Sequence, residues 1–220
     1  DKWLDHPTAS VSAVCAPASA NFNRSGTYPA PVDMQKAIDE FMGDREMLVE
    51  KIQASDGVVF ATPNYSFQVS SVMKAFLDRL GYLFHRPSFH GKTFTSIVVQ
   101  GIYGAERIEK YLRFVGNGLG FNVVKGSCVT ALEPMTDKAQ HKLETRLTSL
   151  ARRFHAQLNR PSQAPPSLFK LMVFRMARTS MKQLLDGSNR DYAYYDSRGW
   201  FESDYYYPTR LSLLKRTLGA

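Results

Sequence analysis

Two hydrophobic patterns alternate along the chain. Short unbroken apolar runs occur at 57–62 (GVVFAT), 94–99 (FTSIVV) and 121–130. Runs of this kind, bounded by turn residues, suit parallel strands buried on both faces. Each is followed by a longer stretch with apolar residues every three or four positions, which is the helical period. Over 69–84, Val72, Met73, Phe76, Leu77, Leu80 and Leu83 share one face. After Gly104, Ile108, Tyr111, Leu112 and Val115 do so, and Gly116-Asn117-Gly118 predicts the stop. Over 136–158 the apolar stripe is Leu143, Leu147, Leu150 and Phe154. Further upstream, Asp33 reads as the N-cap of a helical pattern through Met34, Ile38 and Phe41. Leu48, Val49 and Ile52 continue it, with Gly43 dividing two helices. Strands alternating with helices predict an α/β fold with a central parallel sheet. Crossover helices then cover both of its faces.

The same patterning divides the chain. Residues 1–32 are irregular and rich in turn formers, with one short strand at 11–14. Residues 33–160 carry the alternating α/β pattern. A Pro-rich linker at 160–166 leads into a C-terminal extension, 161–220, with a basic, apolar helix at 168–185. Its tail is dense in rings: Tyr192, Tyr194, Tyr195, Trp200, Phe201, Tyr205, Tyr206 and Tyr207. Three readings of this tail stand: a packed subdomain, a roof over a bound ligand, or a partner surface.

Composition narrows the class. With 220 residues, 44% hydrophobic and 22% charged, the chain can bury a core without staples. No apolar run approaches the roughly 20 residues of a membrane span, and the start shows no signal-peptide pattern. Two cysteines, Cys15 and Cys128, form neither a disulfide framework nor a CxxC motif, which fits a reducing cytoplasm. The net charge of +8 is spread without a Lys/Arg block, so nucleic acid is not expected as the ligand. No metal-ligand spacing, nucleophile elbow or Walker loop is present. His85 and His90 read as surface or interface residues, and Lys74, Asp78 and Arg79 as structural charges.

Ligands of open α/β sheets bind beyond the carboxyl ends of the strands. Two loops leave such ends: Thr62-Pro63-Asn64-Tyr65-Ser66-Phe67-Gln68 and Gln100-Gly101-Ile102-Tyr103-Gly104-Ala105. Each combines a tight turn, a side-chain amide and aromatic rings. That mixture suits a planar ring system with polar edges, and it equally suits two ordinary strand-to-helix turns.

Residues 54–87 carry a more specific signal. Asp56-Gly57 opens the strand, Pro63-Asn64-Tyr65 closes it, and the following helix ends with Lys74…Asp78-Arg79. This combination closely resembles the NAD(P)H-dependent FMN reductase family of flavodoxin-like proteins, with looser similarity from about residue 33 to 154. The resemblance implies a flavodoxin-like three-layer sandwich. It implies FMN contacts from Pro63, Asn64, Tyr65, Ser66 and Phe67, and from Gln100, Gly101, Ile102, Tyr103 and Gly104. It also implies NAD(P)H as co-substrate, a small-molecule or protein electron acceptor, and a homodimer. The chemistry then belongs to the flavin, so no catalytic side chain is assigned.

The opening departs from the family pattern, which starts with a strand and a Ser/Thr-rich phosphate loop. Residues 1–32 look more like the irregular stretch that carries a cysteine cluster in the iron–sulfur flavoprotein branch, although only Cys15 stands there. Alternatively, 13–27 is a degenerate first strand and phosphate loop, with Ser19, Asn21, Arg24, Ser25 and Thr27 as donors. Two other functions remain in view: a non-catalytic, partner-binding remnant of the fold, and an FMN electron carrier that does not itself use NAD(P)H.

Overall fold

The computed structural model describes residues 11–15, 45–160, 163 and 165–212. In chain order the elements are β1 (Val11–Cys15), α1 (Arg45–Ala54), β2 (Gly57–Pro63), α2 (Ser71–Arg79), a 3-10 turn (Gly81–Phe84), β3 (Thr93–Gln100), α3 (Ala105–Gly118), β4 (Asn122–Val123), β5 (Ser127–Thr130), α4 (Asp137–Leu158), α5 (Leu168–Leu184) and α6 (Arg190–Ser197). The predicted helix from Asp33 through Phe41, and the donors from Ser19 to Thr27, lie outside the described residues.

All strand pairs are parallel. β1 pairs with β2 (Val11 opposite Gly57, Cys15 opposite Ala61), and β2 with β3 (Gly57 opposite Thr93, Pro63 opposite Val99). β4 and β5 both pair with the other edge of β3. Four consecutive β3 residues, Thr93 to Ser96, are buried. Neighbours on a strand point to opposite faces, so both faces of the sheet are covered, as in the expected flavodoxin-like three-layer arrangement. The core packs Phe60 edge-on against Phe76 and Phe94, and Phe89 against Phe121. β1 lies at the edge of the sheet beside β2.

Two predicted boundaries change. The run 121–130 is two short strands, because the Gly126 N–H turns to the buried Glu109 carboxylate (3.0 Å) instead of continuing the ladder. The helix over 69–84 ends at Arg79 and tightens into the 3-10 turn. The predicted stop of α3 holds, at Gly118, and Gly116 and Gly118 have a second role. They serve close packing: a Cβ on Gly116 would lie 2.6 Å from the Phe94 ring, and one on Gly118 2.5 Å from the Phe84 ring.

The C-terminal residues bury a second cluster of their own: Leu171, Phe174, Met181, Tyr195, Trp200, Phe201 and Tyr205. Ser167 caps α5 by accepting from Lys170 N, and Asn189 caps α6 by accepting from Asp191 N. Trp200 Nε1 donates to the Tyr206 carbonyl (3.1 Å), and Tyr195 meets both Trp200 and Phe201. This favours the packed reading of the aromatic tail. The cluster docks on the segment before β3. Asp191 accepts from Arg86 Nε and lies 3.1 Å from His85 Nδ1. Burial pushes the Asp191 carboxyl up, but these two partners outweigh it and hold the group below its ordinary value.

His90 stacks on Tyr206 (centroids 5.1 Å, planes 22° apart). Burial, first, and the Lys170 and Arg198 charges lower its pKa to about 4, against the pull of the Gly120 and Pro87 carbonyls. In the unfolded chain a histidine takes up its proton near pH 6.5. Between pH 6.5 and 4 the unfolded state therefore binds a proton that the folded state does not. Stability rises with pH through that window and is independent of His90 above it. Urea denaturation at pH 7, 6 and 5 should show the wild type losing more stability on acidification than His90→Gln. The difference in slope should approach, at most, ~1.4 kcal/mol per pH unit. Equal slopes would show that His90 is not held neutral.

Candidate functional site

β2 and β3 are parallel and in register, so their carboxyl ends deliver both candidate loops to one edge of the sheet. Pro63 is the last residue of β2. Its pairing with Val99 lies two residues beyond the last β1 partner, Ala61, so its missing N–H breaks no ladder bond on that side. Asn64 N then donates to the Val99 carbonyl (2.7 Å). The chain reverses at once: Tyr65 N donates to Gln68 O (3.1 Å) and Gln68 N to Tyr65 O (2.9 Å). Between them Ser66 and Phe67 both have positive φ, 48° and 64°. Two successive left-handed residues form a primed hairpin turn, usually supplied by Asn-Gly. Here neither is glycine, and each costs about 1–2 kcal/mol. Strain of this kind persists only where neighbouring contacts fix the backbone, and it clusters at functional sites.

Those contacts come from the second loop. Asn64 Nδ2 donates to the Tyr103 carbonyl (2.9 Å), tying the loops together. The Phe67 ring lies against Tyr103 (5.4 Å between centroids) and over Gly104. Gly104 has φ 100°, and a Cβ there would sit 2.5 Å from Phe67 Cδ1. Gly101, by contrast, has space: its Cβ would meet only Leu132 Cδ2, at 3.5 Å. Gln100 is buried, and its Oε1 accepts from Ala105 N (2.8 Å). Its amide therefore shapes the loop rather than facing outward. Tyr65, Phe67, Ile102 and Tyr103 are all exposed, Ile102 by 79%, and form an apolar rim. Asn64 Oδ1 is buried without a hydrogen-bond partner.

All ten residues singled out from the sequence thus lie at one sheet edge. Three supports are not among those ten. Thr62 Oγ1 accepts from Ser70 N (3.1 Å) and donates to Pro63 O, holding the loop to the start of α2. Gln68 closes the turn. Leu132, beyond the end of β5, borders Gly101, and Ala131 N donates to Gln100 O (3.1 Å). The rule that drew attention to the first two strand ends applies equally to the third, so this signal was available.

Elsewhere the singled-out residues are structural. Lys74 pairs with Asp78 on an exposed helix face. Cys128 is half-buried, and burial pushes its thiol up to about 11, unsuited to a nucleophile. Among the described residues no group of three or more His, Cys, Asp or Glu side chains is placed to hold a metal, and no helix is long and apolar enough to cross a membrane.

Gly104→Ala should cost about 1–3 kcal/mol in urea denaturation, since it forces a strained φ and displaces Phe67. Gly101→Ala should stay within about 0.5 kcal/mol of the wild type. Comparable losses at both positions would refute the loop packing described.

Comparison with known proteins gives a match to the family described as NADPH-dependent FMN reductase over residues 23–134, half of the chain. A curated relative, the iron-sulfur flavoprotein of Archaeoglobus fulgidus, is 34% identical over 93 residues, covering 38% of this chain and 42% of the relative. The chain thus spans about two fifths of that protein's length. Among solved structures, a flavodoxin, WrbA-like protein from Agrobacterium tumefaciens aligns with a TM-score of 0.45 at 17% identity, over 68% of this chain and 98% of that one. The apo form of an NADH:FMN oxidoreductase (EMOB) aligns with a TM-score of 0.46 at 18% identity, over 70% and 98%.

Proposed function

Because the chain belongs to the NADPH-dependent FMN reductase family, we propose that loops 63–68 and 100–104 hold FMN and that the protein is a flavin-dependent NAD(P)H oxidoreductase. The observation that carries this reading is Asn64. Its Nδ2 is spent on joining the loops, while its Oδ1 is buried and unpartnered. A buried acceptor without a donor is costly, and an N–H on the edge of a flavin ring would satisfy it. Tyr65, Phe67 and Tyr103 offer ring faces beside it, and backbone groups of Gly101 to Gly104 lie at the same edge. FMN bound there would supply hydride acceptance from a nicotinamide and electron delivery to an acceptor. The chain's own part is to bind, orient and exclude water. No carboxylate or histidine stands among these loop residues, in keeping with a protein that provides position rather than acid–base chemistry.

The exposed apolar rim supports a homodimer in which a second copy covers the site, and the two cysteines, with no disulfide framework, fit a reducing cytoplasm. The acceptor is a small molecule or protein that reaches the same edge.

The test is the visible spectrum of the purified full chain with FMN, followed by NADH and NADPH oxidation with a quinone acceptor. Flavin bands that survive gel filtration, with turnover of one nicotinamide, are expected. Asn64→Leu should weaken FMN by about tenfold, near 1.4 kcal/mol, with an unchanged circular dichroism spectrum. Retained FMN without nicotinamide oxidation would identify an electron carrier. Folded protein that retains no FMN would overturn the flavoprotein reading in favour of a non-catalytic role.

A further inference from the structure

A second cavity, of about 500 Å³, lies at the opposite end of the sheet. It is bounded by the end of α3, the segment before β3, the start of β4, α5 and the 205–207 stretch. Rings dominate its walls: Phe84 from the 3-10 turn, Phe121 from the α/β core, Phe169 from α5, and Tyr206 and Tyr207. Its size is that of a small-molecule site, and apolar walls with few polar groups are the usual composition of one.

Polar side chains interrupt the apolar lining, among them His90 and Lys170. His90 is clamped between the chain segments by its stack on Tyr206, and its Nε2 is buried without a hydrogen-bond partner. Lys170, in the first turn of α5, lines the same cavity and is half-buried. Among the described residues it makes no ion pair, and burial alone lowers its pKa. Its charge is near enough to His90 to oppose protonation there. A cation and an unpartnered imidazole acceptor therefore belong to the walls of one apolar space. Leaving the half-buried cation without a counter-charge is unfavourable, and a carboxylate entering the cavity supplies one.

We infer that this cavity is a binding site for an aromatic monocarboxylate of about two-ring size, its rings against Phe121 and Tyr206 and its carboxylate on Lys170. The site is separate from the candidate flavin loops. Phe121 precedes the start of β4 whereas Gln100 ends β3, and an eight-residue strand spans on the order of 25 Å. The inference rests on this cavity alone and holds whether or not the chain carries FMN.

The test is calorimetric titration of the full FMN-free chain with 2-naphthoate and, separately, with neutral 2-naphthalenemethanol. Saturable one-to-one binding of 2-naphthoate is expected, at least tenfold tighter than the alcohol and unchanged within twofold by excess FMN. Lys170→Met should erase the preference for the acid while leaving the alcohol's affinity intact. Val173→Trp, which fills the cavity, should abolish both. Absence of binding to folded wild-type protein, equal affinity for acid and alcohol, or displacement by FMN would each overturn the assignment. So would an affinity that falls as protein concentration rises, since a second copy would then be the occupant. The wild-type comparison of acid and alcohol decides the question even if a variant fails to fold.

Discussion

β3 is hydrogen-bonded along both edges and covered on both faces, and the rest of the α/β core is arranged to keep it so. β2 pairs along its whole length on one side, and β4 and β5 share the other. Every strand pair being parallel, each return of the chain needs a crossover, and α2 and α3 supply those flanking β3. The cost of burying so much backbone is met by the ladders themselves. Where the ladder on the outer edge breaks, the freed Gly126 N–H goes to a carboxylate, Glu109, which is itself buried and 3.6 Å from Arg113. A polar group enters the core there only because it has partners on both sides.

That arrangement explains the candidate site. Two strands in register end together, so two loops emerge side by side, and the Asn64 amide closes the gap between them. The strained Ser66–Phe67 pair is then held by packing on Gly104 rather than by its own propensity. A loop built this way is defined by its neighbour, and the neighbour by it.

Much of this was legible in the sequence, because apolar runs and helical periods report burial directly. β2, β3, α3 and α4 follow from them, and so do the ten loop residues, once strand ends are taken as ligand positions. What escaped the reading depends on partners far along the chain. Gly116 and Gly118 mark the end of a helix, yet they are also contact points for Phe94 and Phe84, more than twenty residues upstream. The split of 121–130 is written in Glu109, which a local window sees only as a polar helix residue. Gln100 reads as an outward amide, whereas its side chain turns back to the first N–H of α3. The aromatic tail announces its rings but not their order of packing, which is fixed by Trp200 and Tyr195 meeting in three dimensions.

The Phe67–Gly104 contact carries a consequence for how this surface can change over time. A side chain larger than hydrogen at 104 meets the ring at 67 and is strained by its φ even without that ring, and losing the ring leaves the left-handed turn unsupported. Neither position has a neutral single step open to it. β3 separates this locked pair from the aromatic cavity by its full length, far beyond the 7–10 Å within which substitutions couple. The two ends of the strand are therefore free to diverge on separate schedules, one constrained as a unit and the other open to piecemeal revision.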